Sequence, residues 1–168
     1  MKVLGKENPT SLNYTVFFLI SQHFGTRGRQ EHHQIRIEDL RPVYEPTSGK
    51  LVTVEWIEGP TKTRQGGLNK KPRTVTQKLF RTGGQRCPVT AYELLISKHP
   101  ADLKDNGPLY LSPLRKERVW SKAPVWFSTT PLGIHSIDTF VRCMALAAGL
   151  DITRKHYTNH SIRKTTVK

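Results

Sequence analysis

GTRGRQEHHQIRIEDL, residues Gly25–Leu40, marks the place where the chain changes from helix to strand. Gly25 is expected to end a helix that begins at Pro9–Ser11, because glycine readily takes the left-handed conformation found after helices. A second, short helix is predicted over Arg29–His33. Apolar and polar residues then alternate over Ile35–Leu40, which predicts a strand. Helices at the beginning of the chain are therefore expected to lead directly into a sheet.

Two further segments alternate in the same way. Leu51–Ile57 and Thr74–Phe80 are rich in β-branched residues, and turn-forming residues lie at Pro46–Gly49 and Gly66–Gly67. The pattern predicts a small antiparallel three-stranded sheet after the first helices.

The rest of the chain favours helices. Pro88 is expected to start a helix over Val89–Lys98, and Ala101–Pro131 is expected to be an ordered connection with short extended pieces. Ser136 is expected to cap a long helix that Gly149 ends. The apolar stripe of that helix comprises Ile137, Phe140, Val141, Met144 and Ala148.

A last helix is predicted to begin near Asn159, a good N-cap residue. The chain has 168 residues, enough for one sizeable core and too few to require two. We therefore expect a single domain of the α+β class over residues 1–168.

The composition is strongly basic. The chain has 27 Lys and Arg residues against 13 Asp and Glu residues, a net charge of +14. Pro60–Arg86 and Ile152–Lys168 contain no acidic residue. Such an excess favours a polyanionic partner, nucleic acid before others, although a solvated charge run is the alternative. A lipid surface is disfavoured, because the basic stretches lack an amphipathic apolar face.

The sequence offers no metal site. Cys87 and Cys143 are far apart and lack ligand spacing. The adjacent His32 and His33 point in different directions from a helix and form no metal site by themselves, and both are expected at the surface. Tyr14–Ile20, the longest apolar run, is far too short to span a membrane. We expect a soluble intracellular protein in a reducing compartment.

Three basic pairs could contact phosphate. They are Arg27 with Arg29, Lys62 with Arg64, and His160 with Arg163. Taken alone, the first two pairs are more typical of exposed loops than of a binding site, and an isolated HxxR is common. On a helix, however, residues three apart share a face, where an imidazole and a guanidinium can hold one phosphate together.

The order of these pairs resembles the catalytic domain of tyrosine recombinases, with an arginine near the first helices, a lysine on a β-hairpin and HxxR on a late helix. Five blocks are similar to the recombinase-derived domain of Crypton-type DNA transposons, and to the C-terminal domain of zinc-finger MYM-type and glutamine-rich nuclear proteins. The blocks are GTRGRQEHHQIRIEDL, TKTRQGGLN, RCPVTAYELLISKHP, PLYLSP and TNHSIRKTTVK. The resemblance covers Leu12–Lys168 and implies the mostly helical recombinase fold around a three-stranded antiparallel sheet.

The resemblance implies catalytic roles for four residues. Arg27 matches the first catalytic arginine, because an acidic residue, Glu31, follows it as in the family. Arg29 is the alternative if the register differs. Lys62 matches the hairpin lysine, which protonates the leaving oxygen in active enzymes, and Arg64 is the less fitting alternative.

His160 and Arg163 match the histidine and second arginine of the family. The implied chemistry is phosphoryl transfer without a metal or cofactor, in which arginines donate paired hydrogen bonds to the nonbridging oxygens and the histidine acts as donor or general base. Further DNA contacts are expected from neighbouring basic residues, namely Arg29, Arg64, Lys70, Lys71, Arg73 and Lys164.

Two departures from the family bear on activity. In the family a His or Trp and then the nucleophilic tyrosine follow HxxR by a few tens of residues, whereas only five residues follow Arg163 here. Tyr157 precedes the motif and is expected to pack at the helix entrance, so no nucleophile is assigned. The core-binding domain of the family has no counterpart either. We therefore expect this chain by itself to be inactive in DNA recombination and integration.

Two hypotheses of function follow from the resemblance. In the first, the chain is a DNA-binding remnant of a Crypton-type recombinase domain that binds double-stranded DNA in the nucleus and assembles as an oligomer there. In the second, it is a domesticated nuclear module for protein interaction or transcription. The joint presence of the four matched residues favours the first, because an interaction module does not need all four.

Overall fold

The structure is a computed structural model that describes residues 3–26, 28–57, 76–115 and 119–166, with the backbone alone for residues 163–166. The helices and strands are α1 (Pro9–Phe24), α2 (Gly28–Gln34), β1 (Leu40–Tyr44), β2 (Leu51–Trp56), β3 (Gln77–Phe80), α3 (Pro88–Ser97), β4 (Leu111–Pro113), β5 (Phe127–Pro131), α4 (Ile134–Asp138), α5 (Phe140–Ala147) and α6 (Asn159–Thr166). The predicted α+β class is confirmed, while the tyrosine-recombinase fold stays a prediction. None of the described helices combines the length and apolar character that crossing a bilayer requires.

Helix α1 crosses the core. The side-chain oxygen of Asn8 accepts a hydrogen bond from the backbone N–H of Ser11 at 2.9 Å, and Gly25 takes a φ of 65° after the last turn. Both ends of the helix are thereby closed. Leu12, Val16 and Ile20 recur every four residues and are buried. The predicted helix is confirmed, with Asn8 as its cap.

The predicted three-stranded antiparallel sheet is also confirmed, and β2 is its central strand. Val54 and Leu79 pair across β2 and β3 and are buried, and both α1 and α3 contact this sheet. Glu55 has Arg41 opposite it on one neighbouring strand and Lys78 on the other, and it forms ion pairs with both. One carboxylate therefore joins all three strands.

The first strand lies later in the chain than the sequence predicted. Instead of a strand over Ile35–Leu40, a 3-10 turn occupies Ile37–Asp39 and β1 begins at Leu40. The turn forms because the Asp39 carboxylate accepts a hydrogen bond from the backbone N–H of Arg36 at 3.0 Å. Such local side-chain bonding competes with the sheet ladder. The alternating pattern still predicts correctly that Ile37 is buried, since this residue is 5% exposed.

In the described parts of the predicted connection, residues 101–115 and 119–131, the chain forms the short strand pair β4–β5, as expected. Its two tryptophans contact each other. Trp126 is buried and donates a hydrogen bond from its indole N–H to the carbonyl of Trp120 at 2.8 Å. The ammonium of Lys98, at the end of α3, lies 5.1 Å from the Trp126 ring centroid. The tryptophans thus attach the connection to α3.

The long helix predicted from Ser136 is two helices, α4 and α5, and α4 starts earlier, after Gly133. The hydroxyl of Thr139 donates to the carbonyl of Ser136 at 2.8 Å where the two meet, and such back-bonding bends helices. Four residues of the predicted stripe are buried, whereas Ala148 is exposed and Ala145 is buried instead. The break at Thr139 changes which residues face the core.

Candidate nucleic-acid interface

The turn between α1 and α2 is formed by two glycines in the left-handed conformation. Gly25 has a φ of 65° and Gly28 a φ of 62°. Thr26, between them, is 2% exposed. Arg27, the predicted first catalytic arginine, lies outside the described residues. The residues on both sides of position 27 place this turn at the edge of the core.

His32 fixes this turn from inside, and its predicted surface position is wrong. The residue is 1% exposed. Its Nε2 lies 2.7 Å from the hydroxyl of Thr26 and 2.8 Å from that of Ser21, and its Nδ1 lies 3.0 Å from the hydroxyl of Tyr110. Burial lowers the pKa of His32 to about 3, so the imidazole is neutral at physiological pH. His33 is exposed, as predicted.

Sequence reasoning missed His32 although a signal was present. Helix α2 reads GRQEHHQ and contains no apolar residue, yet a helix on a core needs an inward side chain. His32 lies three residues before the buried Ile35, at helical spacing. The imidazole therefore takes the place of an apolar anchor.

Helix α6 begins at Asn159, as predicted, and packs on α1 and α2. The predicted capping role of Asn159 is wrong, because its side-chain amide donates to the carbonyl of Ile137 at 3.3 Å. At the helix start, the backbone N–H of Thr158 instead donates to the hydroxyl of Ser161, and the backbone N–H of Ser161 donates to the carbonyl of Thr158. Ile162 is 6% exposed and anchors the helix in the core. Asn159 and Ile162 thus orient α6 against the first two helices.

His160 lies on the exposed side of α6 and faces the turn. A Cβ atom built on Gly28 would lie 3.5 Å from its Nε2. The backbone of α6 continues as a helix through position 163, one turn further on. The side chains of Arg163 and Lys164 lie outside the described residues. The start of α2 and the start of α6 therefore meet at His160.

Arg29, the alternative to Arg27, is engaged elsewhere. Its guanidinium lies 2.9 Å from the carboxylate of Asp138 in α4, with both side chains about half exposed. An exposed pair of this kind contributes little to stability. The pair joins α2 to α4, and a role for Arg29 on DNA stays a prediction.

The predicted hairpin cations fall between β2 and β3. Both strands are described and are antiparallel, which agrees with a hairpin at this point. The residues outside the described ranges are Lys62, Arg64, Lys70, Lys71 and Arg73. The structure therefore gives the base of the hairpin, and the roles of its cations stay predictions.

Tyr157 packs as predicted at the entrance of α6, where its partly buried ring lies against the core. Within the described part of the chain, no group of three or more His, Cys, Asp or Glu side chains is arranged to hold a metal ion.

The family model described as a domain of unknown function (DUF3504) matches residues 1–146. Zinc finger MYM-type protein 3 of Mus musculus is 30% identical over 153 residues, which are 83% of this chain and 11% of that protein. The Homo sapiens protein of the same name is 30% identical over 154 residues, with the same two shares. The chain thus spans about 11% of the length of these relatives. No solved structure matches the chain. The predicted relation to zinc-finger MYM-type proteins is confirmed, and the relation to tyrosine recombinases stays a prediction.

Proposed function

The chain belongs to the family of the domain of unknown function DUF3504, and on that premise we propose that it binds the phosphate backbone of double-stranded DNA without cutting it. The site is formed by the turn between α1 and α2, the start of α6 and the β2–β3 hairpin. The domain is a remnant of a recombinase catalytic domain of the Crypton type, and it acts in the nucleus.

The observation that carries the proposal is that the imidazole of His160 lies beside Gly28, close enough for a side chain at position 28 to touch it. Two of the three basic pairs recognised in the sequence flank these two residues, since Arg27 precedes Gly28 and Arg163 lies one helical turn after His160. The sequence motifs that contain Arg27 and Arg163 thus come together at their described residues, Gly28 and His160. This proximity supports a shared ligand of the size of one phosphate.

The chemistry of the four matched residues suits a phosphodiester. Arg27 and Arg163 supply planar guanidiniums, each able to donate two parallel hydrogen bonds to phosphate oxygens. His160 adds a ring N–H donor at the contact point. Lys62 supplies a charge on the hairpin. These groups hold a phosphate in place and do not read bases, so we expect little sequence preference.

The net charge of +14 supports the same partner. Each phosphate contact releases condensed counterions from DNA, which makes the affinity fall with salt. A domain that contacts protein partners alone does not show this steep dependence. Salt dependence therefore separates the proposal from the second hypothesis, a nuclear protein-interaction module.

The test is a titration of a labelled DNA duplex with the full chain at several salt concentrations. We expect the Arg27→Ala/Arg163→Ala variant to bind more weakly and its salt slope to be smaller by about two, roughly one for each lost phosphate contact. The matched control is Arg115→Ala/Lys122→Ala, which removes the same charge from two exposed positions and is expected to change the slope less.

Equal binding by the wild type and the Arg27→Ala/Arg163→Ala variant at moderate salt contradicts the proposal. So does an equal loss in the control variant, since that result assigns binding to net charge alone. A protein partner recovered from nuclear extract after nuclease treatment, together with absent duplex binding, favours the interaction module instead.

A further inference from the structure

We infer that His32 is a positioning residue, whose buried imidazole ties the turn between α1 and α2 to the core and so sets where Gly28 lies against His160. The importance of this position for DNA rests on the proposed function. The part of the inference that concerns the position of the turn rests on the contacts of His32 alone.

The hydroxyl groups around His32 indicate which of its two ring nitrogens carries the proton. The hydroxyl of Ser21 donates to the carbonyl of Phe17 at 2.8 Å, so its oxygen is an acceptor toward Nε2. Nδ1 then has no proton, so the hydroxyl of Tyr110, 3.0 Å away, donates to it. The neutral ring therefore carries its proton on Nε2 and shares it between Ser21 and Thr26.

Ser21 and Thr26, which both accept from this N–H, differ in the other interactions that fix their positions. Ser21 lies within α1, where the backbone hydrogen bonds of the helix fix its position. Thr26 lies after the end of α1, between two glycines in the left-handed conformation, and glycine restricts the backbone least. The bond from His32 to Thr26 thus constrains the turn, whereas the bond to Ser21 holds the imidazole itself.

Tyr110 anchors the other side of the ring. Its hydroxyl lies 3.0 Å from Nδ1 of His32. Tyr110 itself directly precedes β4 and is 3% exposed. The ring of Phe17 packs on the imidazole with centroids 4.1 Å apart. These neighbours prevent the imidazole from rotating freely. Its hydrogen bond to Thr26 therefore holds Thr26 at a fixed position relative to the core.

A matched pair of substitutions separates positioning from simple core stability. Thr26→Val and Ser21→Ala each remove one hydroxyl from the same Nε2, at 2.7 and 2.8 Å. If His32 only fills the core, both variants lower stability and neither moves the turn. If His32 positions the turn, Thr26→Val moves it and Ser21→Ala does not.

The first measurement needs no DNA. We expect the NMR signals of the Gly28 amide and the His160 ring to shift in Thr26→Val and to stay near the wild-type positions in Ser21→Ala. Equal shifts in both variants, or none in Thr26→Val, overturn the inference. Because this readout uses the free protein, it decides the inference even if the wild type fails to bind DNA, a result that contradicts the proposed function alone.

The second measurement is duplex affinity at a temperature where every variant is folded. We expect Thr26→Val to weaken binding and to lower the salt slope by about one phosphate contact, with Ser21→Ala unchanged. His32→Gln keeps an N–H donor for Thr26 and is expected to retain most of the affinity, whereas His32→Leu is expected to lose it. Equal affinities for His32→Gln and His32→Leu contradict a positioning role. If His32→Leu does not fold, the comparison of Thr26→Val with Ser21→Ala remains decisive.

Discussion

Gly28 and His160, which come from opposite ends of the chain, lie next to each other at the start of two helices. A Cβ atom on Gly28 would lie 3.5 Å from Nε2 of His160, and the φ of Gly28 is 62°. The absence of a side chain at position 28 leaves this face of the imidazole open.

The first prediction concerns Gly28→Ala. A left-handed backbone with a Cβ costs about 1–2 kcal/mol, so we expect the free energy of unfolding to fall by that amount. The added methyl also contacts the imidazole of His160 and covers it. Duplex affinity, measured where the variant is folded, is therefore expected to decrease as well.

The control for this prediction is Gly49→Ala, in the turn between β1 and β2. Its φ is 65° and a Cβ there meets no atom within 4 Å. We expect a similar loss of stability and unchanged DNA binding. If the two variants bind DNA equally well, the contact at His160 has no part in binding.

The second prediction concerns stability in acid. Burial lowers the pKa of His32 to about 3 and that of His99 to about 4, against about 6.5 in the unfolded chain. Above pH 6.5 neither state binds these protons. Below it the unfolded chain binds them and the folded chain does not, so stability falls by about 1.4 kcal/mol per pH unit for each histidine. Urea unfolding at several pH values between about 6 and 5, which lie below the unfolded pKa and above both folded values, measures the slope. Unfolding at about pH 7.5 gives the reference stability, because neither histidine contributes there.

A matched pair of variants tests how much of this pH dependence comes from His32. His32→Gln removes one of the two protons and is expected to reduce the slope by about 1.4 kcal/mol per pH unit. His33→Gln, at an exposed position, is expected to leave it unchanged. The pKa values of Glu38 and Glu55 are lowered, so these carboxylates titrate below the window. Identical slopes in the wild type and His32→Gln contradict the prediction.

The third prediction concerns the base of the hairpin. Hydrogen bonds from Lys78 and from Arg41 hold the pKa of Glu55 below its ordinary value. Glu55→Gln leaves two cations on neighbouring strands without a charge between them. We expect Tm to fall by a few degrees and the amides of β2 and β3 to exchange faster with deuterium. Glu45→Gln, on the exposed turn after β1, serves as control and is expected to change neither quantity.

The fourth prediction concerns Tyr157. Its ring packs on the core beside α6 rather than standing free at His160. We expect no covalent adduct when the chain is incubated with nicked duplexes that trap a 3′-phosphotyrosyl link, and we expect Tyr157→Phe to bind DNA as the wild type does. An adduct mapped by mass spectrometry to Tyr157 would overturn this assignment.

Local signals in the sequence identified most helices and two strands correctly. Gly25 and Pro88 mark helix ends because their backbone preferences act wherever they stand. The predicted strands β2 and β3 are also present, with Val54 and Leu79 buried where the two strands pair. For the candidate site, the sequence supplied residue types and chain order, and the position of Arg27, Lys62 and Arg163 side chains stays a prediction.

The sequence by itself determined the net charge, the α+β class and the start of α6, since these depend on composition and on neighbours within one or two turns. Only the tertiary structure decided that His32 is buried, that β1 starts at Leu40 and that α6 lies against the first two helices. The physical reason is that the first and third depend on partners far along the chain, while the 3-10 turn before β1 combines the local hydrogen bond between Arg36 and Asp39 with a distant one from Gly107. Tyr110 and Ser21 satisfy His32, Gly107 bonds Glu38 beside the 3-10 turn, and Ile137 holds Asn159.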